Sequence, residues 1–137
     1  MTDLHQFVQR FVEFINSANP ALAQDLVSPD ARFFVPGQPD PLIGPDGYLA
    51  IIGMMRGGFP DVQWQAEDSV AEGDTVAVRF TMTGTHGGPF MGVPATGRPI
   101  RVQAMNFYRL ADGKIVEEYG QPDMMGLMMQ IGAIPLP

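Results

Sequence analysis

Apolar residues recur at helical spacing at the start of the chain. Leu4, Phe7, Val8, Phe11, Val12 and Ile15 share one face of a helix over residues 3–17, with Thr2 as its cap and Asp3 in its first turn. Asn19-Pro20 reads as a second N-cap followed by proline at the first helical position, which predicts a short helix over 20–27. A strand over 31–35 gives way to "PGQPDPLIGP", where four prolines in ten residues exclude regular structure. A third helix over 46–56 carries Tyr48, Ile51, Ile52 and Met55 on its apolar face and ends at Gly57-Gly58.

The period then changes from about 3.6 to 2. Strands are predicted over 62–71, 75–85, 98–110 and 114–121, with turns at Gly73 and Asp112-Gly113; the Asp-Gly pair suits a two-residue hairpin in which both residues take positive φ. Strand 75–85 has one apolar face (Val76, Val78, Phe80, Met82) and one polar face (Ala77, Arg79, Thr81, Thr83). Pro122 stops the last strand, and Asp123 is placed to cap a helix over 124–131. Helices early and antiparallel strands late describe an α+β fold, a curved sheet with helices on one face, built by residues 1–137 as one domain.

Composition narrows the function classes. The chain is 45% hydrophobic and carries a net charge of −7, with no basic patch, so nucleic acid is not an expected partner. It contains no cysteine, which removes disulfides and thiolate chemistry. No apolar stretch reaches the ~20 residues of a membrane span, and the N-terminus lacks the basic, then apolar, pattern of a signal peptide. The cytoplasm is the expected compartment. His5 and His86 stand far apart with no carboxylate at metal-ligand spacing, so no metal site is expected. There is no phosphate-binding glycine loop ahead of a helix and no G-x-S-x-G nucleophile motif.

The stretch "LADGKIVEEYGQPDMMGLMMQIG", together with "FPDVQWQAEDSVAEGDTVAVRFTMTGTHGGPFMGVPATGRPI" upstream, resembles the SnoaL-like polyketide cyclases, small proteins of the nuclear-transport-factor-2-like fold. The resemblance covers nearly the whole chain. It implies a cone-shaped α+β barrel enclosing a hydrophobic cavity, and a pocket lined in part by Ile15 and Ile51. The carboxylate that performs acid/base work in the family's cyclases corresponds to Gly120, and its partner histidine to Asn106. The motif "GTH" before "FMG" is a family pattern in which His86 shapes the loop.

If Gly120 faces the cavity, alternation places Val116 and Glu118 beside it, and Glu118 becomes the replacement acid/base. Asp123 matches a second carboxylate of the family pattern while also serving as a helix cap. Arg79 and Asn106 are candidate donors to an enolate oxygen; Arg79 could equally pair with Glu67, Asp68 or Glu118. Phe11, Met55, Phe59, Trp64, Tyr119, Met124 and Met128 are expected to join Ile15 and Ile51 around the substrate, the methionines as an adaptable wall or as plain packing.

Three functions compete. The first is an enzyme, without metal or cofactor, that removes a proton next to a carbonyl of a small apolar substrate and cyclises or isomerises it. The second is a non-catalytic binding protein on the same scaffold, consistent with Gly120 and Asn106. The third is epoxide hydrolysis, whose Arg-x-Asp pair is met here by Arg79 but not by Thr81. A homodimer is expected as well: if the polar face of strand 75–85 lines the cavity, a second copy covers Val76, Val78, Phe80 and Met82.

Overall fold

A computed structural model describes residues 4–135. The expected cap at Thr2 and the acidic residue at Asp3 lie outside the described residues. In chain order the elements are α1 (Leu4–Ser17), α2 (Pro20–Leu26), β1 (Val27–Phe34), β2 (Leu42–Ile43), α3 (Gly44–Gly58), β3 (Gln63–Glu72), β4 (Thr75–Thr85), β5 (Pro99–Ala111), β6 (Lys114–Pro122) and α4 (Met124–Gln130). Asn19 caps α2, its side chain accepting from Ala21 N–H at 2.8 Å, with Pro20 following at the first helical position. Asp123 caps α4 in the same way, accepting from Gly126 N–H at 2.8 Å.

The six strands form one sheet in the order β2-β1-β6-β5-β4-β3. All neighbours are antiparallel except β1 and β6, which run parallel. Asp112 and Gly113 both take positive φ, 53° and 77°, the geometry of the tight hairpin joining β5 to β6. The α+β cone is therefore the observed architecture. β1 begins four residues earlier than expected, directly where α2 ends, and two residues of the proline-rich loop pair with β1 as β2.

The faces of β4 are the reverse of the expectation. Val76, Val78, Phe80 and Met82 are buried inside the cone under the protein's own helices, and Arg79 lies on the outer face. Hydrophobic burial decides this: the apolar face is the one that can be sealed by α1 and α3. The interior holds two clusters. One gathers Phe7, Phe11, Phe14 and Ile15 of α1 with Phe33, Tyr48, Ile52, Phe80 and Tyr108. The other gathers Met55, Phe59, Met82, Phe90, Val102, Leu127 and Ile131, with Met124 and Met128 against it. Trp64 borders both.

His86 is fully buried at the start of the loop that follows β4. Its Nδ1 accepts from Thr96 N–H at 3.2 Å, its ring packs against Phe59, and its backbone pairs with Arg98 and Gly97. It shapes the loop from inside.

Candidate active site

The site is organised around a β-bulge. The pairing of β5 with β6 shifts between Arg109 and Leu110, so Leu110 stands opposite Ile115 while Arg109 stands opposite Glu117. Val116 is the extra residue. Simple alternation thus fails here: Ile115, not Val116, shares the interior with Glu118 and Gly120. Beyond the bulge Tyr108 faces Glu118 and Asn106 faces Gly120.

Glu118 is 4% exposed. Its Oε1 receives the Tyr48 hydroxyl from α3 at 3.3 Å and the Asn106 amide nitrogen at 3.3 Å. The same nitrogen donates to the Tyr108 hydroxyl at 3.0 Å, and Asn106 Oδ1 accepts from Gln121 N–H at 3.1 Å. That last bond fixes the amide with its donors toward the carboxyl. The Tyr108 hydroxyl also hydrogen-bonds to the Glu118 carboxyl. Aromatic rings close around the group: Phe11 meets Tyr108 edge-on at 4.9 Å, and Phe33 lies 4.7 Å from Tyr48.

This environment sets the protonation states. Burial pushes the Glu118 carboxyl up to about 7, against the opposing pull of hydrogen bonds from Tyr108 and Tyr48. Burial, and then the charge of Glu118, push both tyrosines well above their ordinary range. They remain hydroxyl donors at neutral pH. A carboxyl that ionises near pH 7 can take a proton and return it.

Of the residues singled out from the sequence, Asn106 joins Glu118 directly. Phe11 packs on Tyr108 and Tyr48, while Ile15 and Ile51 belong to the same cluster. Met55, Phe59, Met124 and Met128 lie in the second cluster, and Trp64 lies between the two. Asp123 is exposed at the start of α4, where its carboxylate holds Gly126 N–H.

Two candidates are not brought to the site. Arg79 is on the outer face of the sheet, where its Nε and Nη2 donate to Asp68 Oδ2 at 2.9 and 2.6 Å; it meets neither Glu118 nor the interior. With it goes the Arg-x-Asp arrangement of an epoxide hydrolase. Tyr119 is 48% exposed and stacks on Phe34 with centroids 4.9 Å apart, because its neighbours Glu118 and Gly120 both point inward. The sequence reading missed Tyr108 and did not give Tyr48 a polar role. Without the bulge, counting back from the Asp-Gly turn pairs Tyr108 with Glu117, so no sequence signal joined it to Glu118.

A family model described as SnoaL-like polyketide cyclase matches residues 5–131. Among characterised proteins, the chain is 30% identical over 92 residues to the aklanonic acid methyl ester cyclase DnrD of Streptomyces peucetius. That alignment covers 66% of this chain and 63% of the relative, just under two thirds of that protein's length. The nogalonic acid methyl ester cyclase of Streptomyces nogalater is 29% identical over 90 residues, covering 65% of this chain and 67% of the relative. Among solved structures, IdmH of Streptomyces antibioticus superposes with a TM-score of 0.85 at 32% identity, covering 96% of this chain and 99% of IdmH. TsrD of Streptomyces laurentii also gives 0.85, at 27% identity, over 98% of this chain and all of TsrD. The matched family model spans the four helices and all six strands, including the hairpin that carries Asn106, Tyr108, Glu118 and Gly120, and the chain belongs to the SnoaL-like polyketide cyclase family.

Proposed function

We propose that this protein is a cytoplasmic, cofactor-independent acid/base enzyme that closes a ring in, or isomerises, a small apolar carbonyl compound, with Glu118 as its acid/base. The observation that carries the reading is the buried Glu118 carboxyl, ionising at about 7 and held by Tyr48, Tyr108 and Asn106. The names of the relatives support ring closure on an ester-bearing substrate. In this reading the Glu118 carboxylate removes a proton from the carbon beside a carbonyl, and the electron pair moves onto the carbonyl oxygen. The Tyr108 hydroxyl or the Asn106 amide stabilises that enolate. The enolate carbon then attacks a second carbonyl of the same molecule, and the new alkoxide takes the proton back from Glu118. Asp123 and Arg79 have no part in it.

The test is turnover of aklanonic and nogalonic acid methyl esters, followed by the absorbance change on ring closure. Glu118→Gln keeps the shape and removes the ionisable group, so turnover should fall at least ~10²-fold, the low end for general acid–base catalysis. Full activity in that variant would overturn the role. Tight binding of the esters without turnover in the unaltered protein would favour the binding-protein reading.

We also propose a homodimer, formed by a face other than the one the sequence suggested. On the outer face, Phe34, Tyr119, Phe107, Ala77 and Val70 stand in one continuous row across five strands, each opposite the next. Phe107 is 58% and Val70 70% exposed. Arg32, Arg79 and Arg109 flank this row, so two copies of an acidic protein can meet here without strong repulsion. Light scattering should give twice 14.9 kDa, and Phe107→Lys should return the single-chain mass. A wild-type protein that scatters as one chain at micromolar concentration would refute the dimer.

A further inference from the structure

Four glycines are buried: Gly44, Gly58, Gly120 and Gly126. Three have a local reason. Gly44 has φ +70°, a Cβ at Gly58 would stand 2.8 Å from Phe90, and one at Gly126 would stand 2.3 Å from the Asp123 carboxylate. Gly120 has none. Its φ is not positive, and a Cβ built on it meets nothing closer than the Asn106 amide, at 3.6–3.9 Å, which is ordinary contact. Glycine inside a strand loses cross-strand packing and costs conformational entropy. An uncrowded, interior, regular-φ glycine is therefore explained by what the missing side chain leaves open.

The position ties this space to the site. Gly120 stands directly opposite Asn106, whose amide also donates to Glu118. The next pair along the strands, Ala104 and Pro122, is small and apolar. Arg32, Arg79 and Arg109 all lie on the other face of the sheet with carboxylate partners there.

We propose that Gly120 is the specificity-determining residue of this site: it holds open a recess one side chain deep beside the Asn106 amide, which seats an uncharged, carbonyl-bearing part of the substrate next to Glu118. The recess is polar on the side of Asn106 and Glu118 and apolar on the side of Ala104 and Pro122, and the arginines Arg32, Arg79 and Arg109 are engaged by carboxylates on the opposite face. A neutral aromatic ketone fits this chemistry and a carboxylate does not. This inference rests on the acid/base reading of Glu118 only for the orientation of the carbonyl.

The experiment measures binding of the neutral fluorophore N-phenyl-1-naphthylamine and its displacement by 2-acetylnaphthalene or by 2-naphthoate. The wild type should take up the fluorophore and release it to the ketone at least tenfold more readily than to the carboxylate. Gly120→Ala should keep a melting temperature at or above that of the wild type and bind the ketone several-fold more weakly; Gly120→Leu should weaken it more than tenfold. Unchanged ketone affinity in both variants overturns the recess. So does failure of the wild type to bind either probe, and so does unfolding of the alanine variant, which would show that the space is already filled. Glu118→Gln separates the two proposals. If it retains both binding and turnover while the glycine variants lose binding, the recess stands and the acid/base role of Glu118 falls.

Discussion

The Tyr48 hydroxyl donates to Glu118 Oε1 at 3.3 Å across a separation of 70 residues, joining the third helix to the last strand. The bond opposes the effect of burial on the carboxyl, since it stabilises the ionised form. Removing it in Tyr48→Phe should move the ionisation of Glu118 upward. A hydrogen bond to a charged group is worth ~1.5 kcal/mol, which corresponds to about one pH unit. The limb of the pH–rate profile on which the base ionises should therefore shift by roughly that much to higher pH, with turnover at high pH largely kept. An unmoved limb would show that Tyr48 does not act on Glu118.

The same carboxyl makes stability depend on pH, with a sign opposite to that of a paired carboxylate. Its folded value, about 7, lies above the ordinary 4.5, so the folded state holds the proton more tightly than the unfolded chain. Stability is then highest below about pH 4.5 as far as this group is concerned. It falls as pH rises from 4.5 to 7 and stays reduced above that. The full loss is on the order of 3 kcal/mol. Glu118→Gln removes the effect. Its melting temperature at pH 8 should exceed that of the wild type, and the gap should narrow toward pH 5. Parallel stability curves for the two proteins across that range would refute a buried, proton-holding Glu118.

Local chemistry made much of the fold legible. Asp112-Gly113, Asn19-Pro20 and Asp123 each act within a few residues of themselves, and each sits in the structure where turn or cap chemistry places it. The residues that were misplaced depend on long-range choices. Arg79 faces outward because Val76, Val78 and Phe80 must lie under α1 and α3, and a strand's alternation alone does not say which face is covered. Tyr108 meets Glu118 only because Val116 is bulged, and a single extra residue in a strand leaves no mark in composition or period. The carboxyl was legible as a candidate, but its tyrosine partner across the hairpin was not.

The edge of the sheet supplies the last prediction. β3 is one of the two edge strands, and a free backbone edge there would invite pairing with another chain. Asn16 of α1 occupies that edge. Its side-chain nitrogen donates to the Trp64 carbonyl at 3.0 Å, and its side-chain oxygen accepts from Trp64 N–H at 2.8 Å, copying the two bonds a neighbouring strand would make. Arg56 in turn donates to the Asn16 carbonyl, tying α3 to the same point. Asn16→Ala leaves both backbone groups of Trp64 without partners in a partly buried place. At about 1 kcal/mol for each bond, the cost is ~2 kcal/mol. For a chain of this size that corresponds to a melting temperature lower by roughly 8 °C. The Trp64 amide should also exchange its hydrogen faster than those of Val78 and Phe80 in the centre of the sheet. A variant that melts within a degree of the wild type, with Trp64 equally protected, would show that the edge is held by the packing of α1 alone.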